Sequence, residues 1–257
     1  SLKDALVDYL NLSYIILKED YDKILDMEEI AEQSYDLMEA YLLAKEQASK
    51  KLDDAYDDLN QTQSEFAKKY GVNLIDSNKE RDKTSQKIKQ ANEALHYYND
   101  VYLIFFKSYK QTAYVFDAIK RNDINAIAQN TNSLSSFSDE GLQKIKEMSA
   151  FNYDIRLKRA ASEILKTYKN LAENDLPKIR DFYFKKDEYE KQINLINSKN
   201  KKKLSQKEVD DYNKCVNEYN KLINDYNTNN KNLIEKSNQN IELWNKASDK
   251  FFDDHSK

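Results

Sequence analysis

Glu93-Ala94-Leu95-His96 sets a carboxylate three residues ahead of one of the chain's two histidines. On a helix that spacing brings both side chains to one face, the arrangement that holds iron or manganese in dinuclear helical bundles. Such a centre takes two Glu-x-x-His pairs and two more carboxylates. The second histidine, His255 in "FFDDHSK", has Phe252 at the matching position. We therefore expect no metal and no other cofactor, and read His255 as a tail residue. "KKLDDAYDDLN" (Lys50–Asn60) clusters aspartates without the glycine-turned loop of a calcium-binding hand, so it reads as solvated helix surface.

Other chemistries lack their parts. A nucleophile elbow needs a strained, glycine-flanked serine, and phosphate or dinucleotide loops need glycine runs. The chain has 2 Gly in 257 residues. A single cysteine, Cys215, rules out an intramolecular disulfide framework and a cysteine zinc site. It falls beside an apolar helix face and reads as a partly buried, inert thiol. No catalytic, cofactor-binding or metal residues are assigned, and the expectation is a protein that is not an enzyme.

The elements that would position any site follow from the same scarcity of breakers. With 2 Gly and 1 Pro, against usual levels of about 7% and 5%, tight turns are few and the helices are few and long. The fold expected is all-α: an elongated antiparallel helical bundle. Helix ends are legible. Gly71 suits the left-handed position after a helix closing near Tyr70. Ser77 with Glu80, and Ser205 with Glu208, are capping boxes, in which the serine accepts from the backbone and the glutamate reaches back.

The two boxes lie 205 − 77 = 128 residues apart. At that offset "SNKERDKTSQKIKQANEALHYYN" aligns with "SQKEVDDYNKCVNEYNKLINDYN", identical at seven of 23 positions. We expect a duplication of three-helix halves, residues 1–128 and 129–257, which could also pack as one domain. The expected helices are 3–33, 35–70 and 78–121, then 138–150, 155–197 and 205–253. "NTNSLSSFSDEG" (Asn130–Gly141), rich in residues that favour turns, is the expected boundary. Pro177 should kink or split the fifth helix.

Tyr212, Tyr219 and Tyr226 recur every seven residues, each followed by asparagine. Alternating steps of four and three continue through Val216, Ile223, Asn230, Leu233, Ser237, Asn240, Trp244, Ala247 and Phe251, the period of one packed helix face. The tyrosines would be its large packing residues, with the neighbouring asparagines available to their hydroxyls. If the face is partly open, the same ladder could stack sugars or a peptide. The polar interruptions at Asn230, Ser237 and Asn240 would set register at some cost in stability, or line a wet cavity.

A formal net charge of −4 argues against a nucleic-acid partner, which calls for a basic stripe. Lys199 and Lys201-Lys202-Lys203 read as a solvated loop. No apolar run approaches the ~18 residues of a transmembrane helix. The chain begins at Ser1 without Met, so a trimmed or mature form is expected, with any targeting signal upstream.

"FNYDIRLKRAASEILKTYKN", "DYNKCVNEYNKLINDYN" and "IELWNKASDKFFDDH" together resemble a family of helical bacterial surface lipoproteins of unknown function, over roughly residues 100–257. The resemblance implies export, a lipid anchor upstream on the outer membrane or cell surface, and an elongated helical body. It implies no catalytic residues. The function expected is a non-enzymatic, envelope-associated binding or structural protein whose partner is a protein or a cell-surface glycan. The alternative is a cytoplasmic coiled-coil scaffold that pairs with a partner helix through the apolar run "VYLIFF" (Val101–Phe106).

Overall fold

The computed structural model describes residues 1–74, 78–198 and 205–256, with side chains from residue 86 on in the helix that opens at Asn78. The protein is all-α. Its helices are α1 (Leu2–Ile15), α2 (Tyr21–Ala31), α3 (Tyr35–Tyr70), α4 (Asn78–Lys120), α5 (Ile124–Glu147), α6 (Arg156–Asn170), α7 (Leu176–Asn197) and α8 (Gln206–His255). A π turn joins α1 to α2 (Ile16–Asp20), and another joins α6 to α7 (Leu171–Asp175). Two compact units are present, one of residues 1–103 with 250–257 and one of residues 104–249. Residues 128 and 129, where the halves were expected to meet, both lie inside α5.

Local chemistry sets the helix ends. Ser34 accepts from the Leu37 amide at 3.2 Å to open α3. Gly71 closes it at φ +61°, a left-handed conformation that costs glycine little. Asn122 does the same after α4 at φ +57°. There the Asn122 amide donates to the Ile119 carbonyl and the Asp123 amide to Ala118, the Schellman pattern. The second capping box is present: the Glu208 amide donates to Ser205 Oγ at 3.3 Å, and the Ser205 amide to Glu208 Oε2 at 2.9 Å. The first box, Ser77 with Glu80, lies outside the described residues, as do Lys199 and Lys201–Lys203.

The expected boundary at Asn130–Gly141 is corrected: that segment is the middle of α5. Asp123 caps the helix by accepting from the Ala126 amide at 3.0 Å. Ile127, Leu134, Ser138, Gly141 and Ile145 then recur at helical spacing and are buried. Ser138 returns its hydroxyl proton to the Leu134 carbonyl at 2.7 Å, so a turn-favouring residue is satisfied inside the helix. Gly141 lies flush with Leu165, where a Cβ would meet the leucine methyls at 2.9 and 3.0 Å. Ser138, whose hydroxyl lies 3.3 Å from that of Ser108 on α4, and Gly141 thus serve close helix approach.

The π turn at Leu171–Asp175 accounts for Pro177. The Leu176 amide reaches five residues back, to the Leu171 carbonyl, and Pro177 enters at the start of α7. A proline in a regular helix clashes with the carbonyl four residues before it, and the wider turn accommodates the ring. The first π turn has the same build. Asp20 at its end meets Lys51 of α3 at 2.6 Å, as Asp175 meets Lys236 of α8 at 2.6 Å. Asp20, Lys23, Ile24 and Asp26 match Asp175, Lys178, Ile179 and Asp181 in spacing.

The first unit packs α1 and α2 on α3 through Ile16, Ile24, Ala31, Met38, Tyr41 and Ala48, all buried. The second packs α5 with α6 and α7 around Leu134, Leu157, Ile164, Leu165 and Tyr168. Of "VYLIFF", Val101, Phe105 and Phe106 are buried and the other three residues half-buried.

Candidate functional site

Every position of the predicted α8 seam, from Tyr212 to Phe251, is buried or half-buried, whereas Asn213, Asn220 and Asn227 are exposed. The seam divides by depth. Leu233, Asn240, Trp244 and Phe251 are buried, while Tyr212 through Asn230 are only half-buried. The tyrosine end is therefore the open end.

Partners for its hydroxyls come from α7, which corrects the expectation that the adjacent asparagines supply them. A side chain one residue further along the helix points about 100° away and cannot bend back onto its neighbour's ring tip. Tyr219 donates to Glu190 at 3.2 Å, and Tyr189 of α7 donates to Glu218 at 3.0 Å. Burial, then the adjacent carboxylate, holds both phenols above the usual tyrosine range. Cys215 lies beside this pair, its thiol 3.5 Å from Gln192 Oε1, pushed up by burial and by Glu218 and Glu188.

Tyr226 is the centre of the open end. Its ring stacks on Phe182 at 4.1 Å between centroids and meets the edge of Tyr183 at 5.8 Å. Tyr183 donates to the Ile119 carbonyl at 3.0 Å, so its oxygen is left to accept from Tyr226 at 3.1 Å. Desolvation, then that hydrogen bond, raises the Tyr183 phenol further. The Tyr183 hydroxyl, so raised, stays protonated at neutral pH and acts as a hydrogen-bonding group. Tyr226 lines two clefts. One, of about 410 Å³, also carries Lys178, Asp181, Lys185, Asp225 and Asn229. The other, of about 540 Å³, carries Phe116, Lys120, Asn122, Asn230 and Ile234. An aromatic floor with acids, amines and amides at its edges suits a ligand rich in hydroxyl or amide groups.

Deeper in the seam, Asn240 is buried and hydrogen-bonded to Tyr168, whose phenol is raised mainly by burial. The Asn240 Nδ2 has no hydrogen-bond partner among the described residues. A buried amide satisfied on one side only favours the single register that supplies the tyrosine.

The candidate metal pair does not assemble. His96 turns its Nδ1 to Glu46 of α3 at 3.5 Å, and Glu93 is exposed. Asp100, one turn on, is held above the usual aspartate range, first by desolvation and then by the charge of Glu46, with His96 opposing. Among the described residues no three His, Cys, Asp or Glu side chains are grouped to hold a metal ion. His255 ends α8 with its ring 4.8 Å from that of Phe251. The aspartates of Lys50–Asn60 lie along α3, where Asp54 is paired with Lys50 at 2.9 Å.

The sequence reading missed Phe182, Tyr183, Tyr189 and Glu190. The signal was present: Ile179, Phe182, Tyr183 and Tyr189 recur at helical spacing, complementary to the tyrosines of α8. No protein-family model matches the chain, and neither a curated protein nor a solved structure shows significant similarity to it.

Proposed function

We propose that this is a non-enzymatic, envelope-associated bacterial binding protein, carried by a lipid anchor upstream, whose ligand face is the open tyrosine end of the α7–α8 seam. The observation that carries the reading is Tyr226, stacked on Phe182 and lining two clefts edged with Lys, Asp and Asn. The resemblance to surface lipoproteins supports the location. No described helix is long and apolar enough to cross a membrane. Asp225→Ala combined with Asn229→Ala strips polar groups from the cleft edge and leaves the aromatic stack. On glycan and peptide arrays the wild type should retain a ligand that this variant loses, at unchanged Tm. Retention of nothing, equal retention by both proteins, or turnover of the ligand would sink the proposal.

A second reading, the scaffold that pairs with a partner helix, draws on a different place from "VYLIFF". Leu6, Leu10 and Tyr14 of α1, Leu17 of the π turn that follows and Leu25 of α2 are each 45–62% exposed. That is a longer apolar row than a solvated helix face carries. Light scattering tests it: a monomer at all concentrations removes self-pairing through this row.

The duplication of residues 1–128 and 129–257 rests on the sequence match alone. The paired π turns sit at a different offset, 175 − 20 = 155 against 128, and do not add to it.

A further inference from the structure

α1 and α3 run antiparallel, since Tyr9 meets the Tyr56 ring at 6.1 Å while Asp20, just past α1, reaches Lys51 at 2.6 Å. Between them lies an open groove of about 440 Å³. Its floor is apolar, with Tyr9 and Leu12 from α1 and Ala55 and Leu59 from α3. Asp8, Asp54 and Asp58 line it from both helices, and Lys51 is the one basic side chain among its described lining residues. Lys51 is neutralised by Asp20, and Asp54 by Lys50 at 2.9 Å. Asp8 and Asp58 are exposed and have no charged partner among the described residues.

The surroundings have the same sign. Residues 1–60 hold 6 lysines and no arginine against 16 Asp and Glu, a net charge of −10, so the rest of the chain carries +6. Such an excess of acid destabilises its own fold by self-repulsion, and an oppositely charged partner offsets it. The groove therefore joins an apolar floor to two unpaired carboxylates in the most acidic part of the protein.

We propose that the groove between α1 and α3 docks a basic amphipathic helix of another protein. The partner's apolar face covers Tyr9, Leu12 and Leu59, and its Lys or Arg side chains meet Asp8 and Asp58. The lining of α3 runs from Lys51 to Thr62, about 16 Å at 1.5 Å per residue. That is three turns, over which a helix presents apolar residues at i, i+3 or i+4, and i+7. A helix laid over the groove packs as the third member of a bundle, and the small side chain of Ala55 lets it approach. A second copy fits less well, because it would bring another charge of −10 against the same face. A polyamine or a metal ion would leave the apolar floor uncovered. The groove lies in the first unit and does not depend on a ligand at Tyr226. It is distinct from the exposed leucine row of α1 and α2, no member of which lines it.

The test is fluorescence anisotropy of the purified protein with a labelled leucine–lysine peptide patterned as an amphipathic helix. The comparison peptides are the same composition scrambled and a leucine–glutamate counterpart. The patterned basic peptide should bind with an affinity that falls as salt rises. The scrambled peptide should bind at least about tenfold more weakly, and the glutamate peptide not at all. Asp8→Asn combined with Asp58→Asn should weaken binding about tenfold without lowering Tm, since both side chains are exposed and unpaired. Leu12→Ser should weaken it about fivefold. Asp22→Asn combined with Asp26→Asn removes as much exposed charge outside the groove, and should stay within about twofold of wild type. Equal losses in the two double variants would show diffuse attraction to an acidic surface and would overturn the proposal. Unchanged binding by the Asp8 and Asp58 variant, equal binding of the scrambled peptide, or no binding of the patterned one would overturn it too. A dimer of the protein alone that Leu12→Ser dissociates would put a second copy in the groove, with the same consequence.

Discussion

Asp100 shows how one charge can work against its own fold. Its carboxyl is raised by desolvation and by Glu46, so the folded state holds that proton more tightly than the unfolded chain does. The sign follows from linkage. The folded state gains stability as pH falls through the raised value, and the gain is complete once pH is below the ordinary aspartate range. At neutral pH the ionised group is a burden. Asp100→Asn should therefore raise Tm at pH 7 and be neutral near pH 3, as thermal melts at both values would read. The two glycines make opposite demands. A Cβ added at Gly71 would meet nothing within 4 Å, but the residue has a φ of +61°, so Gly71→Ala should cost about 1 kcal/mol from backbone strain alone. At Gly141 the backbone is ordinary and space is lacking, so Gly141→Val should cost about 2 kcal/mol in urea unfolding through overpacking against Leu165.

Among the elements, the π turn before α7 is the feature whose removal is most informative. A π turn carries one residue more than the helix around it, so deleting an exposed member leaves both flanking faces in phase. Asn174 is such a member. Deleting it alone would place Pro177 in a regular helix and should cost about 3 kcal/mol. Deleting Asn174 together with Pro177→Ala should recover most of that loss, with urea midpoints as the readout. Recovery would show that the proline is what demands the wide turn. No recovery would mean that Asp175 needs the turn to reach Lys236 at 2.6 Å. The tyrosine register of α8 belongs to this scale as well. Its period was legible in the sequence, but its partners lie on α7, and the exposed asparagines beside each tyrosine misled because adjacency in a chain is not adjacency on a helix.

For the whole molecule, a charge of −4 spread over long helices keeps the surface mixed, with a local apolar departure along α1, the first π turn and α2 and an excess of acid over residues 1–60. Envelope location has its own test. Mass spectrometry of the native N-terminus after membrane fractionation should find an acylated cysteine ahead of the residue numbered Ser1. An unmodified terminus in the cytosolic fraction would set the lipoprotein reading aside and favour the scaffold.

Helical class, the ends at Gly71 and Ser205 and the phase of the α8 seam were determined by the sequence alone, because each depends on residues within a few turns of one another. The course of Asn130–Gly141 was not, since its Asn and Ser are turn formers until α4 and α6 supply a surface for Leu134, Ser138 and Gly141 to pack on. Nor was the π turn, where an extra residue is absorbed only because Leu171, Leu176 and Ile179 are all drawn to the same core. The open cleft at Tyr226 and the full exposure of Tyr153, at φ +68° between α5 and α6, likewise belong to the tertiary structure. Both arise from what packing covers and what it leaves bare, and neither quantity is local to the chain.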